Sequence, residues 1–144
     1  MTELVVRRLL IDLQSPFARN WCGGDAFSTA FFNALSMSFP FGEQFFIDAV
    51  RDAVATLPPE VQEKYRADVR GFIGQEATHR RIHSLFNNHL ENQGLVDGWT
   101  ARANKRLALM EEADPRHALA VTAATEHFTA MFAEWLLARP EILD

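Results

Sequence analysis

From residue 25 onward, apolar positions recur every three or four residues, the period of helices that bury one face. Asp25 or Ser28 can cap a first helix through Ala30, Phe31, Phe32, Ala34 and Leu35. Pro40 is expected to end or kink it, and a second stretch continues to Leu57 through Phe45, Phe46, Ala49, Val50 and Val54. Pro58-Pro59 is a firm break, with Pro59 suited to the first turn of a long helix that runs from Glu60 to about Asn92 and stops at Gly94. A further segment is predicted over 96–112, and Asp114-Pro115 opens a last helix that reaches residue 138. The first 24 residues differ. Leu4, Val5 and Val6 suggest a short strand, while Pro16 and Gly23-Gly24 exclude a helix. The pattern therefore predicts an irregular arm over 1–24 and an all-α helical bundle over 25–144, with segment 96–112 packed across one end.

Composition narrows the classes of function. A chain of 144 residues fits one domain, and twelve phenylalanines point to a bulky aromatic core. A net charge of −5 argues against nucleic-acid binding and against an anionic membrane surface. No apolar run approaches the roughly 20 residues that span a bilayer, and the N-terminus lacks the layout of a signal peptide. Cys22 is the single cysteine, so no intrachain disulfide can form and a reducing cytoplasm is the expected compartment.

Chemistry enters where polar residues interrupt apolar stripes. Phe72, Glu76, His79, His83 and Phe86 follow one another at steps of four, three, four and three, a single face of the long helix. Glu76 and His79, at i and i+3, can hold one metal ion between them. The same spacing also serves a solvated pair on a surface helix. Glu43 is the only charged residue from Ala26 through Ile47; it is either a ligand or a first-turn glutamate complementing a helix dipole after Pro40. Glu126 sits mid-helix on a face of small residues, Thr122, Ala123, Thr129, Ala130 and Ala133, which leaves room for a ligand. A hydrogen bond that Glu126 accepts from His79 or Arg80 is the plainer alternative. A buried carboxylate needs a partner or a metal, because desolvating it alone costs several kcal/mol.

The segments Ser38-Phe39-Pro40-Phe41-Gly42-Glu43-Gln44-Phe45-Phe46, Phe72-Ile73-Gly74-Gln75-Glu76-Ala77-Thr78-His79 and Ala124-Thr125-Glu126-His127-Phe128-Thr129-Ala130 resemble the predicted metal-dependent hydrolase family. That bacterial family is distantly similar to ferritin-like di-iron carboxylate proteins. The resemblance covers the chain from about residue 20. It implies a partial ferritin-like bundle with Glu43, Glu76, His79 and Glu126 as metal ligands, and His83 is a further candidate one turn beyond His79. It also implies another ligand-bearing helix after residue 144, which this chain lacks.

Three functions remain open: a metal-dependent hydrolase, a di-iron-type oxygenase or oxidase, and a non-catalytic metal-binding or truncated structural protein. The carboxylate and imidazole set suits iron first, then manganese or zinc, and the absence of thiolates disfavours a structural zinc site. No motif for substrate recognition is legible, so the small-molecule substrate is unassigned. A homodimer is expected, with the partner covering Phe72, Phe86, Phe128, Phe132 and Trp135 on the long and last helices. The rival is an arm folded back over that face.

Overall fold

The computed structural model describes Val6, residues 11–108 and residues 114–142. Four helices make up the fold: α1 Ala26–Ala55, α2 Pro59–Asn92, α3 Thr100–Leu107 and α4 Pro115–Leu137, with a 3-10 turn at Pro140–Ile142. No strand occurs among the described residues, so the protein is all-α. Of the strand expected at 4–6, residues 4 and 5 lie outside the described residues, and Val6 belongs to no regular element.

The helix starts follow the local chemistry. The Asp25 side chain accepts from the Ser28 N–H at the start of α1, and Asp114 accepts from the Arg116 N–H at the start of α4. Pro59 occupies the first turn of α2. At the other end of α2, Gly94 takes a φ of +87°, where a side chain would be strained. Its N–H reaches the Glu91 carbonyl at 2.9 Å, and the Leu95 N–H reaches that of Leu90 at 3.0 Å, a Schellman closure of the helix.

Two segments call for comment. Of the two outcomes expected at Pro40, an end or a kink, the helix does not end: α1 runs through it. Proline removes the N–H that should bond the Ser36 carbonyl four residues back, at a cost of about 3 kcal/mol in a helix interior. Here the Asn87 side chain of α2 replaces it: Nδ2 donates to the Ser36 carbonyl at 3.0 Å. The second is α3, expected over 96–112 but starting only at Thr100. Asp97 turns back to accept from the N–H groups of Trp99 and Thr100, at 2.7 and 3.2 Å, which fixes a capped start there. Residues 109–113 lie outside the described residues.

α1 and α2 form an antiparallel pair, since Ser36 meets Asn87 and Gln44 meets Arg80 as the chain runs in opposite directions. α4 lies along α1, with Phe31 and Phe132 in edge contact at 6.2 Å between ring centroids. The arm docks on the far half of α2. Phe17 stacks on Phe86 at 4.8 Å, the Leu13 carbonyl lies 2.8 Å from His89 Nε2, and Gln93 Nε2 donates to the Phe17 carbonyl at 3.1 Å. Phe86 is therefore covered from within the chain. α4 is not: Phe128 is 70% exposed, and Met131, Trp135 and Leu137 also face solvent. Cys22 is buried, with its thiol 3.5 Å from the Ile142 carbonyl. No helix among the described residues is long and apolar enough to cross a membrane.

Candidate metal centre

α1 brings Glu43 and α2 brings Glu76 to the same interior position. Both are buried, at 4% and 1% exposure. One ligand atom each from Glu43, Glu76 and His79 can be chosen so that all lie within 4.8 Å of one another. Two donors bound to a transition metal at about 2.1 Å can be at most about 4.2 Å apart, so the trio needs closing movements of less than about 1 Å. The i, i+3 spacing puts His79 Nδ1 3.6 Å from Glu76 Oε1, an ion-pair approach longer than a formed hydrogen bond.

Two atoms of this trio are electrostatically unsettled. Glu43 Oε2 and Glu76 Oε1 are buried without any hydrogen-bond partner. Gln93 Oε1, at the end of α2, is another such atom and is not part of the cluster. Leaving a buried acceptor unpaired costs about 1–3 kcal/mol, and more for a charged one. Burial pushes the Glu43 carboxyl up to about 8; the charge of His79 opposes this, while Glu76 and Glu126 add to it. His79 moves up as well, chiefly through the adjacent Glu76 carboxylate.

Glu126 and His83 stand just outside the trio. Glu126 lines the same cavity from α4, and burial followed by the Glu76 charge raises its carboxyl above the usual range. His83 Nε2 lies 3.9 Å from Glu43 Oε1, and its ring packs on Phe39 at 4.4 Å between centroids. Burial, and then the His79 charge, lowers His83 to about 4, so its ring is neutral near pH 7.

The tautomer of that neutral ring follows from Pro40. The Ser36 carbonyl can only accept, so the Asn87 atom 3.0 Å from it must be the amide nitrogen. The amide oxygen of Asn87 then faces Ser36 Oγ at 2.8 Å and takes its single hydrogen. Ser36 Oγ is left to accept from His83 Nδ1 at 3.0 Å. The proton therefore sits on Nδ1, and a bare Nε2 faces Glu43, the orientation found in metal-binding histidines. Sequence reasoning missed Ser36 and Asn87, although Asn87 continues the α2 stripe four residues after His83.

Between the helices lies a cavity of about 940 Å³, with Glu43, Glu76, His79, His83 and Glu126 among its lining residues. Comparison with curated proteins returns no match, and neither does comparison with solved structures. A family model described as "predicted metal-dependent hydrolase" matches residues 5–144. Spanning nearly the whole chain and all three buried or half-buried glutamates, that match makes this protein a member of the predicted metal-dependent hydrolase family.

Proposed function

We propose that the protein is a metal-dependent hydrolase that holds one divalent transition ion with Glu43, Glu76 and His79, assisted by His83 and Glu126. The observation that carries this reading is that Glu43 and Glu76 each keep a buried oxygen without a hydrogen-bond partner, while one ligand atom from each residue lies within 4.8 Å of one from His79. A cation there would satisfy both at once. The donors are carboxylate and imidazole with no thiolate, a set suited to iron, manganese or zinc. Among the described residues three donors fall within 4.8 Å of one another, which favours a single ion over a bridged pair.

A metal held by these residues supplies Lewis acidity toward an acyl oxygen and toward water. The remaining work falls to the chain. Glu126, which lines the cavity and whose carboxyl burial raises above the usual range, suits a base that takes a proton from water as water adds to the acyl carbon. It then returns that proton to the leaving oxygen as the acyl bond breaks, giving an acid and an alcohol. His83, held by Ser36, presents its bare Nε2 on the Glu43 side of the site, where it can add an imidazole donor to the ion.

Metal analysis of the freshly purified protein tests the reading, and about one equivalent of a transition metal is expected. Content below about 0.1 equivalent, even after anaerobic loading with iron or manganese, overturns it, since a preformed site with this donor set binds such ions.

Loading should also release protons. Glu43, raised to about 8, is mostly protonated at pH 7 and must lose its proton to bind. Calorimetry of metal uptake in buffers of different ionisation enthalpy measures the release; a heat independent of buffer counts against Glu43 as a ligand. Metal-free protein should lose thermal stability between pH 6.5 and 8. Glu43 and His79 both have raised folded values, so each favours the fold below its unfolded value and loses that contribution as pH rises. His83 acts oppositely, but its contribution is complete above 6.5. A melting temperature that rises over this window would contradict the assignment.

The exposed aromatic rows of α4 also support a homodimer packed through that helix. Light scattering at micromolar concentration should give twice the single-chain mass of 16.3 kDa; the single-chain value would remove the dimer.

A further inference from the structure

The cavity beside the candidate metal centre has one polar end and otherwise apolar walls. α1 contributes Phe32, Phe39 and Phe46, and Trp99, just before α3, lines it as well. α4 presents Thr129 and Ala133 toward the same space, small side chains that leave it unfilled. At about 940 Å³ it falls at the upper end of the roughly 300–1,000 Å³ typical of small-molecule sites. Arg106, an exposed residue of α3, is the one lysine or arginine among the lining residues. At the polar end three carboxyl groups, Glu43, Glu76 and Glu126, meet the His79 and His83 rings, and no lysine or arginine among the lining residues lies there to receive a phosphate or a free carboxylate.

We infer that the substrate is a neutral, largely apolar carbonyl compound, an ester or amide carrying a long alkyl or ring-bearing body. Its carbonyl lies at the Glu43–Glu76–His79 end, and its body lies along the phenylalanine walls. This deepens the hydrolase reading and rests on it for the reaction, but occupancy of the cavity can be measured without the metal.

Straight-chain methyl ketones are suitable probes, because they keep the ester carbonyl and cannot be hydrolysed. Their binding to the full chain, as purified and after chelation, is followed by tryptophan emission, to which Trp99 on the wall contributes. Saturable binding of one ketone per chain is expected. Affinity should rise about fourfold per methylene, the factor that corresponds to about 0.8 kcal/mol per buried CH₂, and should stop rising once the cavity is full. After chelation, the carboxylate anion of equal length should bind at least about tenfold more weakly, since three carboxyl groups line that end and the His79 ring already lies beside Glu76. Ala133→Trp, which adds bulk to the cavity wall at a position that is not a proposed ligand, should abolish ketone binding and leave metal content unchanged.

No dependence on chain length would overturn the inference, as would equal binding of the anion or undiminished binding by a folded Ala133→Trp. Failure of every ketone to bind a protein that scatters as a dimer would assign the cavity to a second copy and overturn it likewise. If Ala133→Trp does not fold, the length series and the anion comparison in the unaltered chain decide alone. Ketone binding without metal uptake would sink the hydrolase reading only, whereas metal uptake without ketone binding would sink only this inference.

Discussion

Glu76→Ala should abolish metal uptake, leaving less than about 0.1 equivalent after loading, because it removes the most deeply buried of the three convergent donors. Alanine also leaves a cavity, so Glu76→Gln is the sharper companion. Glutamine keeps the shape but provides a neutral amide that binds a transition metal poorly. It also removes a carboxyl group that has one buried oxygen without a partner. Metal-free Glu76→Gln is therefore expected to be more stable than the metal-free parent at pH 8, by about 1–3 kcal/mol, the usual penalty of an unsatisfied buried acceptor. A residue kept for structure alone would give the opposite sign. Metal content by elemental analysis and urea unfolding of the two metal-free proteins provide the comparison, and unchanged metal content in either variant would defeat the assignment.

Asn87→Leu should be the most destabilising single change on the α1–α2 interface, by about 3 kcal/mol, or about 10 °C in melting temperature for a chain of this size. The substitution is close to isosteric, yet it strips the Ser36 carbonyl of its donor inside the core and the Ser36 hydroxyl of its present acceptor. The reason lies in Pro40. In a Pro40→Ala background the helix supplies its own N–H to Ser36, so the same Asn87→Leu change should cost at least about 1 kcal/mol less. That coupling is of the size expected for residues that share a partner. Additive effects in the double-mutant cycle would show that Asn87 does not replace the missing helix bond. Asn87→Leu also frees the Ser36 hydroxyl to donate to His83 Nδ1, which moves the ring proton to Nε2. Nitrogen NMR of His83 should report that exchange of tautomer, and metal affinity should fall with it.

The candidate site was legible in the sequence to the extent that its pieces are local. Glu76 and His79 share a face because the helical period places i and i+3 together. Glu43 stood out because it is the one charge in a long apolar stretch, and the structure buries it at 4% exposure. Glu126 was legible as an isolated mid-helix carboxylate, but its distance from the trio depends on how α4 lies against α1, which no local pattern encodes. The stripe on α2 was also legible as one face, though not what each position would meet: Glu76 and His83 meet α1, whereas Phe86 meets the arm.

The local period, together with Pro58-Pro59, Gly94 and the capping aspartates, determined an all-α chain and the positions of most helix ends, because caps and breaks act within a few residues. Only the tertiary structure decided that α1 would run through Pro40. The donor that replaces the lost helix bond comes from Asn87, 51 residues beyond Ser36 in the chain. The proton position on His83 and the apolar cavity beside the glutamates belong to the same class. Each depends on the register and spacing of helices against one another, and these emerge only when separate amphipathic faces are packed into a shared core.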